Sequence, residues 1–502
     1  MRASGQRFGR LGRWSVTLVL AAAAQAALCQ QAAAQAPAAL SFEAASQRLN
    51  ETSSVARAAD ANVTAARETA RAVATLNRPT ISVDAQVLRY EKSFDISLSD
   101  AANEAGSVAS QLLPGVIADL PGVPGDILQA INSRLQTALP EFFSSLPGVQ
   151  LKITDTVFRP VVTGVMPIYT GGAIPALRDA AAANVQLARA QQSEASNLQT
   201  VDLVRAYFGQ ELTRQALEIA RDTRDGFDLH LRNAKAMERE GFLSAGQRLQ
   251  VQVARDAAQR QVNRAELEHD TAVQSLAHML DVASTVEPTS PLFVNSAPLA
   301  PVGDFIDAGE ADHPRIAQAA AGRELADAGV DLARSRLRPS VFAFGAYNLN
   351  QKNALPIEPD WIVGIGARYT LMSSLGRERL VSAARARSRA AEQVQRQTRD
   401  DVRMLVIRAY NLVELSRLQF LSLDSSIEAA TENLRVQDLS FREGEATASA
   451  VVDARNLLGT ARLQRAAAAY EYELALAALL AASNRSGEFV SYMQRADRVV
   501  AR

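Results

Sequence analysis

The chain has 502 residues, an aromatic content of 5% and a formal net charge of -1. A net charge near zero does not favour binding to nucleic acid or another polyanion. The aromatic content is low for several compact cores, and the abundance of Ala, Arg, Gln, Glu and Leu is typical of long helices and coiled coils. We therefore expect an extended helical protein and no nucleic-acid partner.

Residues 1–36 have the features of a secretory signal peptide. Four arginines precede an apolar segment, and small residues follow it. Cleavage is expected after Ala34, because cleavage two residues later would place Pro37 at the first mature position. Lipidation of Cys29 is the alternative, but the bulky Leu28 stands before it, where a small residue is usual. Without its single cysteine the mature chain has no disulfide, thiol nucleophile or thiolate metal site.

The first structural repeat is expected at 37–281, and no run in it or after it approaches the roughly 18–20 apolar residues of a spanning helix. An amphipathic helix at 41–77 ends at Arg78-Pro79, because proline lacks the amide donor. Apolar and polar residues then alternate from Ile81 to Val87, which predicts a strand. The two expected strands of this repeat lie at about 80–92 and 154–168.

The segment 93–153 separates these two strands, whereas about ten residues stand at the same place in the second repeat. Leu-Pro-Gly-Val occurs three times in it, at 113–116, 120–123 and 146–149. One interpretation is a tolerated insertion in a surface loop. The other is a cap or a partner-binding element at the outer mouth of the molecule.

A very long helix is expected after each strand pair, reaching roughly 90–100 Å if unbroken. Each ends near a glycine, Gly241 or Gly444, where the chain turns back into a returning helix. The later helices of the first repeat are 173–236 and 245–281. The second repeat, 304–484, has helices at 304–337, 375–435 and 448–483 and strands at about 340–350 and 361–371. Residues 282–303, with four prolines, form a connector, and 485–502 form a C-terminal tail.

The two repeats arise from an internal duplication. The ten residues from Arg205 to Arg214 recur from Arg408 to Arg417, an offset of 203, with six identities. The same offset aligns Gly241 with Gly444. This period is far too long for a solenoid, so each repeat is half of a structure with the order helix, strand, strand, long helix, helix.

Strands of about ten residues suit a tilted outer-membrane strand. Four strands cannot close a barrel, which takes about eight, and an open sheet edge in lipid would leave backbone groups unpaired. If these strands span a membrane, several chains must therefore share one barrel, continued by a cylinder of helices. Its wide, polar-lined interior would be a conduit and not a catalytic site.

The duplication, the Tyr169-Thr170-Gly171-Gly172 exit from the strands and the turns at Gly241-x-x-Ser244 and Gly444-x-x-Thr447 resemble the TolC-like outer-membrane efflux proteins of tripartite efflux and type I secretion systems. The resemblance covers about 40–485. It implies a mainly α fold with a transmembrane β-barrel: a homotrimer with a 12-stranded barrel continued by a periplasmic α-helical tunnel. It also implies docking to a periplasmic adaptor (membrane fusion) protein and an inner-membrane pump, with passive export of drugs, small molecules or proteins through the outer membrane.

Carried over residue by residue, the resemblance places the periplasmic tips and the adaptor-docking surface at two turns, Gly241-Phe242-Leu243-Ser244 and Gly444-Glu445-Ala446-Thr447. Family members often have Asp three residues after the Ser or Thr. Here these positions hold Gln247 and Ala450, and the nearby carboxylate in the second copy is Asp453. These three residues are candidates for the entrance constriction, but they give no basis for predicting an acidic ring or cation selectivity.

No catalytic, cofactor-binding or metal-binding constellation is apparent, so an enzyme is not expected. The four histidines share no metal-ligand spacing and are expected at the surface or in packing. The run Arg385 to Arg399 predicts a solvated helix face or, alternatively, a tunnel lining that attracts anions. The duplicated pairs Tyr207/Tyr410 and Glu211/Glu414 are expected to hold helices in register. The rival function is a soluble periplasmic coiled-coil adaptor or structural protein, which strand pairs between helices in both repeats do not fit.

Overall fold

The structure is a computed structural model, and it describes residues 38–95, 130, 150–351 and 359–501. The expected signal peptide with Cys29, and most of the 93–153 insertion, lie outside the described residues. In each half of the described chain, two long strands are followed by a very long helix and then by a helix of 35 residues. No helix among them is both long and apolar enough to cross a membrane.

The first half of the chain contains both a short N-terminal strand and the first repeat. Its elements are β1 (Ala38–Leu40), α1 (Phe42–Thr52), α2 (Ser54–Ala74), β2 (Thr80–Asp95), β3 (Gln150–Tyr169), α3 (Ala173–Arg239) and α4 (Ala245–Met279). The connector adds β4 (Val286–Pro288) and β5 (Phe293–Asn295). The second half consists of α5 (Val302–Asp312), α6 (Pro314–Ser335), β6 (Ser340–Asn348), β7 (Trp361–Arg368), α7 (Arg377–Arg442), α8 (Ala448–Ala482), α9 (Phe489–Met493) and β8 (Arg498–Val500).

Two expected helices are divided in the structure. The helix expected at 41–77 breaks at Ser53, whose hydroxyl accepts the amide of Ala56 at 3.1 Å and so begins α2. The helix expected at 304–337 breaks at His313 (ψ 130°), because Pro314 disfavours a helical conformation in the residue before it. The two long helices continue to Arg239 and Arg442, past the expected ends at 236 and 435.

Four long strands form one antiparallel sheet in the order β2–β3–β6–β7. Side chains along each strand alternate between the two faces of the sheet, and the register shows which residues share a face. One is apolar and exposed, and we call it the outer face: Ile81, Val83, Val87, Phe158, Met166, Ile168, Trp361, Val363 and Ile365. The opposite, inner face carries polar groups, including Ser82 and Thr163, whose hydroxyl oxygens lie 2.7 Å apart.

The chain divides into two compact units. One contains the four-stranded sheet and the helical segments next to it, within Ala59–Gln192 and Pro314–Asp400. The other contains residues up to Ala58, Ser193–His313 and the chain from Asp401 onward. The core of this second unit packs aromatic side chains from widely separated parts of the sequence, and these include Phe42, Tyr207, Phe208, Phe293, Tyr472 and Phe489.

The connector and the C-terminal tail are more structured than the sequence predicts. Strand β4 pairs in parallel with β1, and β5 pairs antiparallel with β8 of the tail. Each of these two-stranded sheets joins segments far apart in sequence. Three-residue strands are too short to show a hydrophobic period, so sequence patterning could not reveal them.

Candidate functional site

The first expected tip is the turn between α3 and α4. Gly241 has φ 81°, a left-handed conformation, and nothing lies within 4 Å of the position of an added Cβ. The backbone conformation, not crowding, therefore favours glycine here. The amide of Phe242 donates to the carbonyl of Met237 at 2.9 Å and so closes the end of α3.

A capping box begins α4. The Ser244 hydroxyl accepts the amide of Gln247 at 3.3 Å, and the Gln247 side-chain oxygen accepts the amide of Ser244 at 3.2 Å. This exchange satisfies two amide donors at the start of the helix. Gln247, a candidate for the entrance constriction, thus also has a structural role that its position in the sequence explains.

The second expected tip is the turn between α7 and α8. Gly444 also has φ 81°, and the amides of Glu445 and Ala446 both donate to the carbonyl of Ser440, at 2.8 and 3.1 Å. Thr447 begins α8 by accepting the amide of Ala450 at 3.2 Å. Alanine has no acceptor to return, so this cap has only half of the interactions of the first.

The structure brings the two turns together over one small hydrophobic core, which we call the tip cluster. It contains the buried side chains of Ala234, Val251, Phe441, Ala448 and Val451. Leu243 of the first turn and Ala446 of the second pack against it. Phe242, in contrast, is 79% exposed. Both turns therefore present polar groups to the outside, and the first turn also presents the ring of Phe242.

The candidate constriction residues have different environments. Gln247 and Ala450 are half-buried, each at the third position of its helix, and Asp453 is exposed. The structure relates the first two by the duplication and by the shared tip cluster. Their role at an entrance stays a prediction.

A buried histidine lies beside the tip cluster. His230 is 1% exposed, its ring lies 4.6 Å from that of Phe441, and its Nε2 is 3.4 Å from the carbonyl oxygen of Ala448. Burial lowers the pKa of this imidazole, as does the positive charge of Arg455, while the Ala448 contact and Asp438 oppose the shift. This imidazole of α3 thus packs against residues of α7 and α8.

The sequence did not reveal a second polar site, at the connector. The duplicated Tyr207 and Glu414 bind backbone groups of the N-terminal strand and the connector: the Tyr207 hydroxyl contacts Leu40, Thr289 and Ser290, and Glu414 accepts the amide of Leu299 at 3.1 Å. The expectation that these residues hold helices in register is therefore incomplete, because they attach the connector to the long helices. The sequence signal that could have indicated this site was the presence of polar residues within apolar helical stripes.

Among the described residues, no group of three or more His, Cys, Asp or Glu side chains is placed to hold a metal ion. The histidines in that part of the chain pack or face outward. His313 is buried, His278 is exposed, and the His269 ring nitrogen lies 3.2 Å from the Thr213 hydroxyl. The arginines from Arg385 to Arg399 are exposed on α7.

Comparison with known proteins supports the resemblance. Residues 306–485 match the family model described as outer membrane efflux protein. Protein CyaE of Bordetella pertussis is 28% identical over 242 residues, which are 46% of this chain and 50% of CyaE. The chain thus spans about half the length of this curated relative.

Solved structures with similar folds cover nearly the whole chain. The CmeC outer membrane channel of Campylobacter jejuni superimposes with a TM-score of 0.68 at 11% identity, over 90% of this chain and 89% of CmeC. The outer membrane protein VceC of Vibrio cholerae gives 0.66 at 13% identity, over 88% and 95%. The predicted resemblance to TolC-like outer-membrane efflux proteins is confirmed, and with it an outer-membrane location with a periplasmic portion. The matched family and folds are those of channels.

Proposed function

We propose that three copies of this outer membrane efflux protein homologue form a passive channel, with one 12-stranded barrel continued by a periplasmic helical tunnel. One observation carries the proposal. The four-stranded sheet is open: in the part of the chain that the structure describes, its end strands β2 and β7 each pair with a single neighbour. Its outer face is apolar and exposed.

Lipid imposes two conditions that this sheet meets only in an assembly. Every backbone donor and acceptor within the hydrocarbon must be paired, so the edges of β2 and β7 need partners. Pairing β7 of one copy with β2 of the next supplies them. Three copies supply the 12 strands of the proposed barrel, which is more than the roughly eight needed to close one. The apolar outer face then contacts lipid.

The long helices need the same assembly. Three leucines of α7, Leu412, Leu415 and Leu418, are about half exposed, and Leu412 and Leu415 lie on one helical face three residues apart. Exposed apolar stripes of this kind are covered in stable proteins. We propose that helices of a neighbouring copy cover them, which closes the tunnel wall.

The tips are proposed to dock a periplasmic adaptor, which connects the channel to an inner-membrane pump. The exposed Phe242 ring beside the Gly241 turn supplies an apolar anchor. The pump supplies the energy, and the channel conducts drugs, small molecules or proteins passively. No cofactor takes part.

The test combines mass and conductance of the detergent-extracted protein in planar bilayers. A trimer with a small, steady conductance supports a channel whose tip is closed at rest. Ile365→Arg places a charge in the middle of β7 and should prevent recovery in the outer membrane, because such a charge costs about 2–4 kcal/mol at mid-depth in lipid. Leu371→Arg, beyond the end of β7, is the matched control. A monomer that stays in solution without detergent would instead favour the periplasmic adaptor.

A further inference from the structure

The four strands of the sheet meet their helices at one end. Tyr169 at the end of β3 pairs with Val341, and Ser340 at the start of β6 pairs with Arg368 at the end of β7. Strand β2 begins at Thr80, which pairs with the same stretch of β3. We call this end of the sheet the junction, and it consists of residues 74–80, 169–179, 335–340 and 368–380.

The junction is strongly basic. Its segments contain seven arginines, no lysine and two carboxylates, those of Asp179 and Glu378. Every segment contributes at least one arginine: Arg78, Arg178, Arg336, Arg338, Arg368, Arg377 and Arg379. The whole chain has a net charge of only -1, so positive charge is concentrated where the strands end.

Two of these arginines hold the junction together. Arg178 donates to the carbonyl of Ala74 at 2.6 Å and so joins the end of α2 to α3. Arg377 donates to the carbonyls of Thr370 and Arg336, at 2.6 and 3.0 Å, and joins the start of α7 to the end of α6. Backbone carbonyls carry no net charge, so these bonds leave the positive charge of the junction uncompensated.

Three other arginines of the junction are exposed: Arg78, Arg336 and Arg379. Within the described residues their side chains make no hydrogen bond or ion pair. Each lies in a different segment. The guanidinium group of arginine matches the geometry of phosphate oxygens, to which it can donate two parallel hydrogen bonds. These three side chains are therefore available to phosphate groups outside the chain.

Exposed aromatic and apolar side chains adjoin the arginines. Tyr169 and Tyr369, at the ends of β3 and β7, are about half exposed, and the apolar outer face begins beside them. Met372 and Leu375, in the turn after β7, are 91% and 54% exposed. A surface that is apolar along the strands and becomes aromatic and basic at their ends matches the hydrocarbon, interfacial and headgroup layers of a membrane.

We propose that the junction binds the phosphate groups of anionic phospholipids in the periplasmic leaflet of the outer membrane. This rests on the proposed function, which places the apolar outer face in lipid. The arginines beside that face then lie at the level of the phosphates, where each strengthens binding to an anionic surface. Met372 and Leu375 contact the acyl chains next to those phosphates.

Fluorescence quenching tests the proposal in the full chain, reconstituted into vesicles. Trp14→Phe, Trp361→Phe and Met372→Trp leave one tryptophan, in the turn after β7. Phosphatidylglycerol and phosphatidylcholine, each brominated near the glycerol end of the acyl chains, then compete for the sites around this tryptophan. Phosphatidylglycerol should be preferred severalfold at low salt, and the preference should fall as salt is added.

The junction variant combines Arg78→Gln, Arg336→Gln and Arg379→Gln and should lose most of this preference. An unmodified junction without any preference, or a junction variant that keeps it in full, overturns the proposal. A junction variant that dissociates into monomers in detergent also overturns it, because these arginines would then bind a neighbouring copy.

The matched control combines Arg387→Gln, Arg389→Gln and Arg399→Gln. It removes the same charge from exposed positions of α7 that lie about 15 Å or more along the helix from its start. It should keep the preference for phosphatidylglycerol, and a loss equal to that of the junction variant contradicts a site at the junction. Equal quenching by both lipids refutes phosphate binding alone, whereas no quenching by either lipid also refutes the membrane placement in the proposed function.

Discussion

The hydroxyl of Tyr207 donates a hydrogen bond to the backbone carbonyl of Leu40 at 2.7 Å. The same oxygen accepts the amides of Thr289 and Ser290, at 3.0 and 2.9 Å. Tyr207 is fully buried, and burial raises the pKa of its phenol, so the group stays a neutral donor. A single hydroxyl thus attaches the N-terminal strand and the connector to α3.

Tyr207→Phe should destabilise the protein, because it leaves the Ser290 amide without this partner, whereas the Leu40 carbonyl and the Thr289 amide keep a hydrogen bond to each other at 3.1 Å. We expect a loss of about 1–3 kcal/mol, the cost of roughly one unsatisfied group. Tyr410→Phe is the matched control in the other repeat, where the described residues show no hydrogen bond to the hydroxyl. Denaturant unfolding followed by circular dichroism measures both. Equal losses in the two variants would mean that the hydrogen bonds of the Tyr207 hydroxyl make no specific contribution to stability.

Glu473 is the least expected residue of the connector site. Its side chain is fully buried in α8, and one carboxyl oxygen accepts the amide of Phe293 at 2.8 Å. Burial raises the pKa of this carboxyl well above its ordinary value of 4.5, with the charge of Glu211 adding to the shift and the Phe293 amide opposing it. The folded protein therefore holds the proton to a higher pH than the unfolded chain does.

Stability from Glu473 is consequently present below about pH 4.5 and is lost as pH rises through the folded pKa. Glu473→Gln resembles the protonated acid, so its melting temperature should exceed that of the unmodified protein at pH 8 and approach it near pH 4.5. Glu471→Gln, exposed on the same helix, serves as the control. Parallel melting curves for Glu473→Gln and the unmodified protein across this range would refute a buried protonated carboxyl.

Long, strongly patterned features could be predicted from the sequence. The 203-residue offset aligned the two tips, and the glycines at 241 and 444 marked the ends of α3 and α7, because a left-handed turn leaves a glycine signature. Alternation along Ile81 to Val87 predicted β2.

Features that depend on tertiary contacts could not be predicted. Strands β4, β5 and β8 are three residues each and form only because their partners lie elsewhere in the chain. The buried Glu473 lies in an apolar stripe, and the sequence alone does not show which backbone amide donates a hydrogen bond to its carboxyl group. The break at His313 was readable from Pro314, but the helical pattern on both sides obscured it.

The stability contributed by His230 should depend on pH with the opposite sign to that contributed by Glu473. The lowered pKa of His230 means that its contribution to stability is present above the ordinary value of 6.5 and is lost as pH falls through the folded pKa. His230→Asn introduces the residue found at the equivalent position of the second repeat, Asn433. The variant should lose less thermal stability than the unmodified protein between pH 7 and pH 5. His278→Asn, an exposed site, should leave the pH profile unchanged, and a profile altered equally by both would contradict this assignment.

The candidate constriction can be tested by adding the missing charges. Gln247 and Ala450 occupy equivalent third positions of α4 and α8 and lie beside the shared tip cluster. In a trimer, Gln247→Asp with Ala450→Asp would add carboxylates around the entrance, and carboxylate oxygens are the ligands that Mg²⁺ prefers. We expect added Mg²⁺ to lower the bilayer conductance of the double variant and not that of the unmodified channel. Gln274→Asp adds the same charge on α4 far from the tip and should remain insensitive. If Mg²⁺ leaves the conductance of the double variant unchanged while the trimer stays intact, these positions do not line the entrance.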